Sequence, residues 1–168
     1  MEYKLSVGFN GDLDLLEKMY ADKENKIGTL YTGGYLKEVT SGRYQHSKSE
    51  QELERIVEAV HDKNARLAVT LNSPCNVPPL SEKQWWENVK NYLKHLESIG
   101  VDTAIIAHPF IMALAKENTN LSVAASIICD VNTPRGALYY EDMGADVIVP
   151  SSSINYDLEQ LKQIKANL

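Results

Sequence analysis

The stretch Gly100-Val101-Asp102-Thr103-Ala104-Ile105-Ile106-Ala107-His108-Pro109 decides how the rest of the chain is read. A glycine closes one helix, an apolar run of strand length follows, and a polar residue with a proline opens the next helix. Gly144-Ala145-Asp146 followed by Val147-Ile148-Val149 repeats the approach, and such runs suit strands buried on both faces. Working outward, strands read over residues 3–9, 27–31, 67–71, 103–107, 121–125 and 147–149. Their tails are Asn10, Gly33-Gly34, Asn72-Ser73, His108-Pro109, Ser126 and Pro150-Ser151.

Helices fill the gaps. Asp12 caps a first helix carrying Leu15, Leu16 and Met19 on one side. Ser49 with Glu52 forms a capping-box pattern ahead of Leu53, Ile56, Val57 and Val60, which recur at i, i+3, i+4, i+7. Ser81 with Gln84 repeats the device before Trp86, Val89, Leu93 and Leu96. Residues 110–117 read as a short apolar helix, Thr133-Pro134 as a cap with proline in the first turn, and Asn155 as the opening of the last helix. Strand and helix alternate throughout, so the chain is expected to be one domain over residues 1–168 with a parallel sheet and right-handed crossovers. The predicted class is α/β, a TIM-barrel-like (β/α) repeat of six units. Eight units close such a barrel, so this one is expected to be incomplete.

Composition excludes several functional classes. With 17 basic and 23 acidic residues the net charge is −6, and both halves are acidic in balance, so nucleic-acid binding by counterion release is disfavoured. No apolar run approaches the ~20 residues that span a bilayer, and the N-terminus has no signal-peptide core, so the expected setting is the cytoplasm and not a membrane. The two cysteines, Cys75 and Cys129, form no CxxC pair and no disulfide framework. Gly8-Phe9-Asn10-Gly11-Asp12 is not a GxGxxG loop, no Walker-type lysine exists, and no Gly-x-Ser-x-Gly elbow supports serine hydrolysis.

Leu30-Tyr31-Thr32-Gly33-Gly34, Ser41-Gly42-Arg43, the helix from Ser49, Val69-Thr70-Leu71-Asn72, the two Gly-x-Asp approaches and Ala125-Ser126 with Asn132 carry a family resemblance. In order and spacing they resemble the U-32 peptidases, often labelled collagenase-like proteases. The resemblance implies a barrel-type fold and a peptidase-like hydrolase acting on a peptide or small molecule. It also implies an alternative, since some members are similar in sequence yet hydroxylate ubiquinone precursors or RNA bases with a cysteine-bound iron–sulfur cluster. Most of those cysteines lie beyond the sixth strand. Ser151-Ser152-Ser153 here stands where many relatives carry an Arg-Glu pair. A further alternative is a noncatalytic binding or assembly subunit.

In a parallel α/β fold ligands bind at the strand tails, which selects the candidate residues. His108 directly follows the fourth strand and is read as acid, base or ligand, against a hydrogen-bonded histidine at the sheet end. His46, His61 and His95 are expected to be solvated. Arg43 is a candidate catalytic or anchoring cation with a fork suited to carboxylate or phosphate. Asn10, Gly34, Asn72 and Ser126 are candidate substrate-binding positions, although a tight turn explains Gly34 equally and loop caps explain Asn72 and Ser126. Cys75 and Cys129 are candidate metal ligands against the bland reading of buried thiols. A cluster takes four thiolates, so an iron–sulfur cofactor would need ligands from elsewhere. Two open sheet edges predict a homo-oligomer, or a partner chain completing the barrel.

Overall fold

The computed structural model describes residues 4–22, 25–39, 49–73 and 77–168. Six strands, β1 (Leu5–Gly8), β2 (Ile27–Gly33), β3 (Arg66–Leu71), β4 (Thr103–Ile106), β5 (Ser122–Ala125) and β6 (Val147–Ile148), form one sheet in sequential order. Every pairing is parallel. Six helices alternate with them: α1 (Leu13–Met19), α2 (Glu50–His61), α3 (Lys83–Ser98), α4 (Pro109–Asn118), α5 (Pro134–Asp142) and α6 (Leu158–Asn167). The result is a curled, partial TIM-barrel-like fold. Among the described residues β1 and β6 each pair on one side only. No helix among the described residues is long and apolar enough to cross a membrane.

Period-two alternation sends one set of strand side chains toward the helices. Leu30, Leu67, Val69, Leu71, Ala104, Ile106, Val123 and Ala125 are buried there with Leu53, Val57, Leu93, Leu96 and Met112 in one core. The opposite, concave face carries small and polar residues in register: Gly8, Tyr31, Ala68, Thr103 and Ser122 form one row across five strands. Burial on both faces, expected for the fourth and sixth strands, does not hold. Thr103 and Ile105 are only half-buried and Val147 is exposed, because among the described residues no helix packs on this inner face to cover them.

The Gly-x-Asp approaches fold as read and do more than end helices. Gly100 and Gly144 have φ of +88° and +99°, the left-handed geometry that glycine tolerates. Two residues on, Asp102 donates its own N–H to Leu67 O while its carboxylate accepts the Leu67 N–H at 2.8 Å. Asp146 does the same with Val123, accepting at 2.9 Å. Each carboxylate also meets a basic side chain from the second helix back: His61 Nε2 at 2.9 Å from Asp102, and Lys116 against Asp146. His61 is thus paired through Asp102 rather than merely solvated.

Caps are confirmed at Asp12, at Thr133 and at Ser49, whose capping box with Glu52 is complete. Two expectations fail locally. The Ser81–Gln84 box does not form, since α3 starts at Lys83 with Glu82 at its cap and no side-chain cap bond. Asn155 does not open the last helix, because residues Ser152–Ile154 wind into a 3₁₀ turn and Asp157 caps α6 by accepting the Gln160 N–H.

Candidate functional site

Parallel pairing in sequential order puts the tails of all six strands at one end of the sheet. His108 ends the β4 unit as the extended residue before α4, with Pro109 fixing the first helical position. Its side chain makes no cap bond. The ring instead packs between Trp86, 6.4 Å away between centroids, and Phe110, 5.7 Å away. Trp86 is held in turn by an indole N–H donated to Pro79 O at 3.2 Å. His108 Nδ1 is buried without a hydrogen-bond partner among the described residues. Burial pushes the His108 pKa below the ordinary histidine value, so the ring is neutral at pH 7.

Asn72 follows β3, the neighbour of β4, and the backbone bond from Ala107 N–H to Leu71 O at 3.4 Å continues the pairing to that level. Its Oδ1 is also buried without a partner. Two buried polar atoms without a partner among the described residues therefore stand on adjacent tails.

The other candidates have definite local roles. Asn10 Oδ1 accepts the Asp12 N–H at 2.9 Å, shaping the turn into α1. Ser126 is fully buried and its Oγ accepts the Ile128 N–H at 3.2 Å, capping the 3₁₀ turn Ile127–Cys129. Gly34 is not a positive-φ turn glycine. A Cβ there would overlap the Tyr92 hydroxyl and lie 3.2 Å from Val69 Cγ1, so close packing by Tyr92 dictates it. Cys129 Sγ lies 3.6 Å from Ile106 O and 3.5 Å from Ala107 O, tying the tail of β5 to that of β4. Burial pushes its thiol pKa up, and the facing Tyr140 phenol is pushed up to about 12, chiefly by burial. Arg43, His46 and Cys75 lie outside the described residues.

The model of peptidase family U32 matches residues 15–168. The chain belongs to that family. An uncharacterized protease of Methanocaldococcus jannaschii is 26% identical over 118 residues, covering 70% of this chain and 35% of that protein. The structure of the U32 peptidase Mk0906 superposes with a TM-score of 0.78 at 19% identity, over all of this chain and 66% of the other. The chain thus spans about a third to two thirds of the length of these relatives. Tryptophan synthase of M. tuberculosis matches with a TM-score of 0.62 at 10% identity, covering 99% of this chain and 72% of that one. A GH113 β-1,4-mannanase matches with a TM-score of 0.56 at 13% identity, covering 99% and 68%. At these identities the likeness is one of fold.

Within this U32 chain the structure brings Asn72, His108, Ser126 and Cys129 onto three consecutive tails, with Asn10 and Gly34 on the first two. Ser126 and Cys129 are poor nucleophiles as placed, one spent on a cap and the other held as a neutral thiol. The neutral imidazole of His108 is the group here able to take a proton near pH 7. Sequence reading missed its aromatic seating, for which the adjacent Trp85-Trp86 at the start of α3 was the available signal.

Proposed function

We propose that this chain contributes a peptide-bond hydrolysis site at its strand tails, with His108 as general base and Asn72 as its orienting partner. The observation that carries the reading is the pair of orphaned buried atoms on neighbouring tails, His108 Nδ1 and Asn72 Oδ1. A donor Nδ1–H and an acceptor Oδ1 complement each other. Once paired they fix the tautomer that leaves Nε2 free to accept a proton. Nε2 takes a proton from water as the oxygen attacks the peptide carbonyl, and the imidazolium returns it to the leaving amine as the C–N bond breaks. The protease names of the family relatives support the same reaction class.

The test is hydrolysis of a fluorogenic peptide library by the full chain, its His108→Gln variant and its Asn72→Ala variant. Loss of general-base catalysis lowers kcat by roughly 10²–10⁴-fold in His108→Gln with the melting temperature held. Equal turnover by parent and His108→Gln would refute the assignment, as would the absence of cleavage across the library.

A further inference from the structure

Away from the His108 tail, the groove between α2 and α3 gathers three side chains that no fold argument demands. Glu50 and Glu54 stand one turn apart on α2, and His95 faces them from α3. One oxygen from each carboxylate and one imidazole nitrogen all lie within 4.8 Å of one another. A like-charged pair at i, i+4 is destabilising on a helix unless something cationic lies between. Among the described residues His95 is the basic group that meets them, with Nε2 3.0 Å from Glu50 Oε1. That contact is not a hydrogen bond: Nε2 is buried, and its direction leaves it without a partner. Distance alone makes the two an ion pair. Direction does not, and direction decides what the nitrogen lone pair can reach.

We propose that Glu50, Glu54 and His95 form a binding site for a first-row divalent cation such as Zn²⁺, clamping the first turns of α2 to α3. Ligands about 2.0–2.2 Å from such an ion stand about 3.0–3.5 Å apart along the edges of its polyhedron. The Glu50–His95 separation is already at that value, and a Glu54 oxygen lies within 4.8 Å of both partners. The imidazole selects against Mg²⁺ and Ca²⁺, which take oxygen ligands, and water completes the shell. Tyr35 packs edge-on against the His95 ring, 5.9 Å between centroids, which limits the rotation of the imidazole. Burial, and after it the nearby Glu50 and Glu54 carboxylates, push the Tyr35 phenol up to about 12.

The site goes beyond the hydrolysis reading and does not depend on it. The test is calorimetric titration of chelator-stripped full chain with Zn²⁺ and, separately, with Mg²⁺, accompanied by melting curves. The expected result is one saturable Zn²⁺ per chain with a rise in Tm, and no such rise with equal Mg²⁺. Glu54→Gln, an exposed change that leaves the fold intact, should weaken Zn²⁺ binding about tenfold or more, and His95→Gln likewise. No saturable Zn²⁺ binding would overturn the proposal. Binding left unchanged by Glu54→Gln, or a Mg²⁺ response equal to that of Zn²⁺, would overturn it too. A plain His95–Glu50 ion pair predicts the opposite sign for Glu54→Gln: removing a like charge stabilises the protein with no metal present.

Discussion

Gly34→Ala is the perturbation that separates a packing glycine from a ligand-binding one. The added Cβ overlaps the Tyr92 hydroxyl and comes within 2.9 Å of Tyr92 Cζ and 3.2 Å of Val69 Cγ1. Tyr92 is 4% exposed and lies edge-on to Tyr35 at 4.9 Å, so its ring has little room to withdraw. Overpacking of this kind costs about 1–3 kcal/mol, and the absence of slack puts Gly34→Ala near the top, about 3 kcal/mol. At this chain length 1 kcal/mol moves Tm by roughly 2–4 °C, so the variant should melt about 6–12 °C lower. Tyr92→Phe removes the overlapping atom. The amides of Tyr35 and Leu36 lie near that hydroxyl but outside hydrogen-bond geometry, so its loss costs about 1 kcal/mol or less. In the double variant Cζ remains tight at 2.9 Å, and the two changes should couple favourably by about 1–2 kcal/mol. Urea melts of the four proteins in the cycle measure it. A Gly34→Ala protein as stable as its parent, or a cycle with no coupling, would refute the packing argument and return Gly34 to the substrate.

Two further outcomes follow from the site and the base of the sheet. Asp102→Ala leaves the Leu67 N–H without its acceptor and should cost roughly 1–3 kcal/mol in a denaturant melt. Asp102→Asn, which keeps a carbonyl oxygen there, should cost less than half of that, and equal losses in the two would contradict the proposed bond. Burial lowers the His108 pKa in the folded state, so between that value and the unfolded one the native protein binds fewer protons than the unfolded chain. Its contribution to stability is fully present above the unfolded histidine pKa of about 6.5 and falls away as pH drops toward the folded value. The ring-proton NMR titration should have its midpoint below that of a free histidine, and a midpoint at or above it would remove the argument for a neutral base.

Much of the architecture could be read from the chain because local signals and burial agreed. The glycines before Asp102 and Asp146, the box at Ser49 and the apolar stripe of α2 each fix their own element. Strand order followed because every connection is a crossover helix. Local reading failed where other contacts, near or distant in sequence, competed. The Ser81 box gave way at the start of α3, where Trp86 bonds back to Pro79 and Lys83 N–H is taken by Ser81 O. His61 and His95 looked like surface residues because their partners, Asp102 and Glu50, are 41 and 45 positions away. The candidate tails were legible as positions, whereas the aromatic seat of His108 depends on α3 packing beside α4, which the Trp85-Trp86 pair signals without saying what it packs on. Gly34 was open to several readings in sequence, and only the neighbouring Tyr92 chooses among them.

The rings that Asp102 and Asp146 close have a consequence for the order in which the sheet becomes secure. Each carboxylate stands in for a peptide carbonyl, so the second amide of β3, that of Leu67, is sealed by the residue leading into β4, and the second amide of β5, that of Val123, by the residue leading into β6. An amide bonded by its successor unit stays open to solvent until that successor docks. Hydrogen exchange at Leu67 and Val123 therefore reports the arrival of the next strand rather than the formation of their own. Strand β6 has just two paired residues, yet it finishes β5 through this one aspartate. Cooperativity thus passes along the sheet at two places, with β4 holding β3 shut and β6 holding β5.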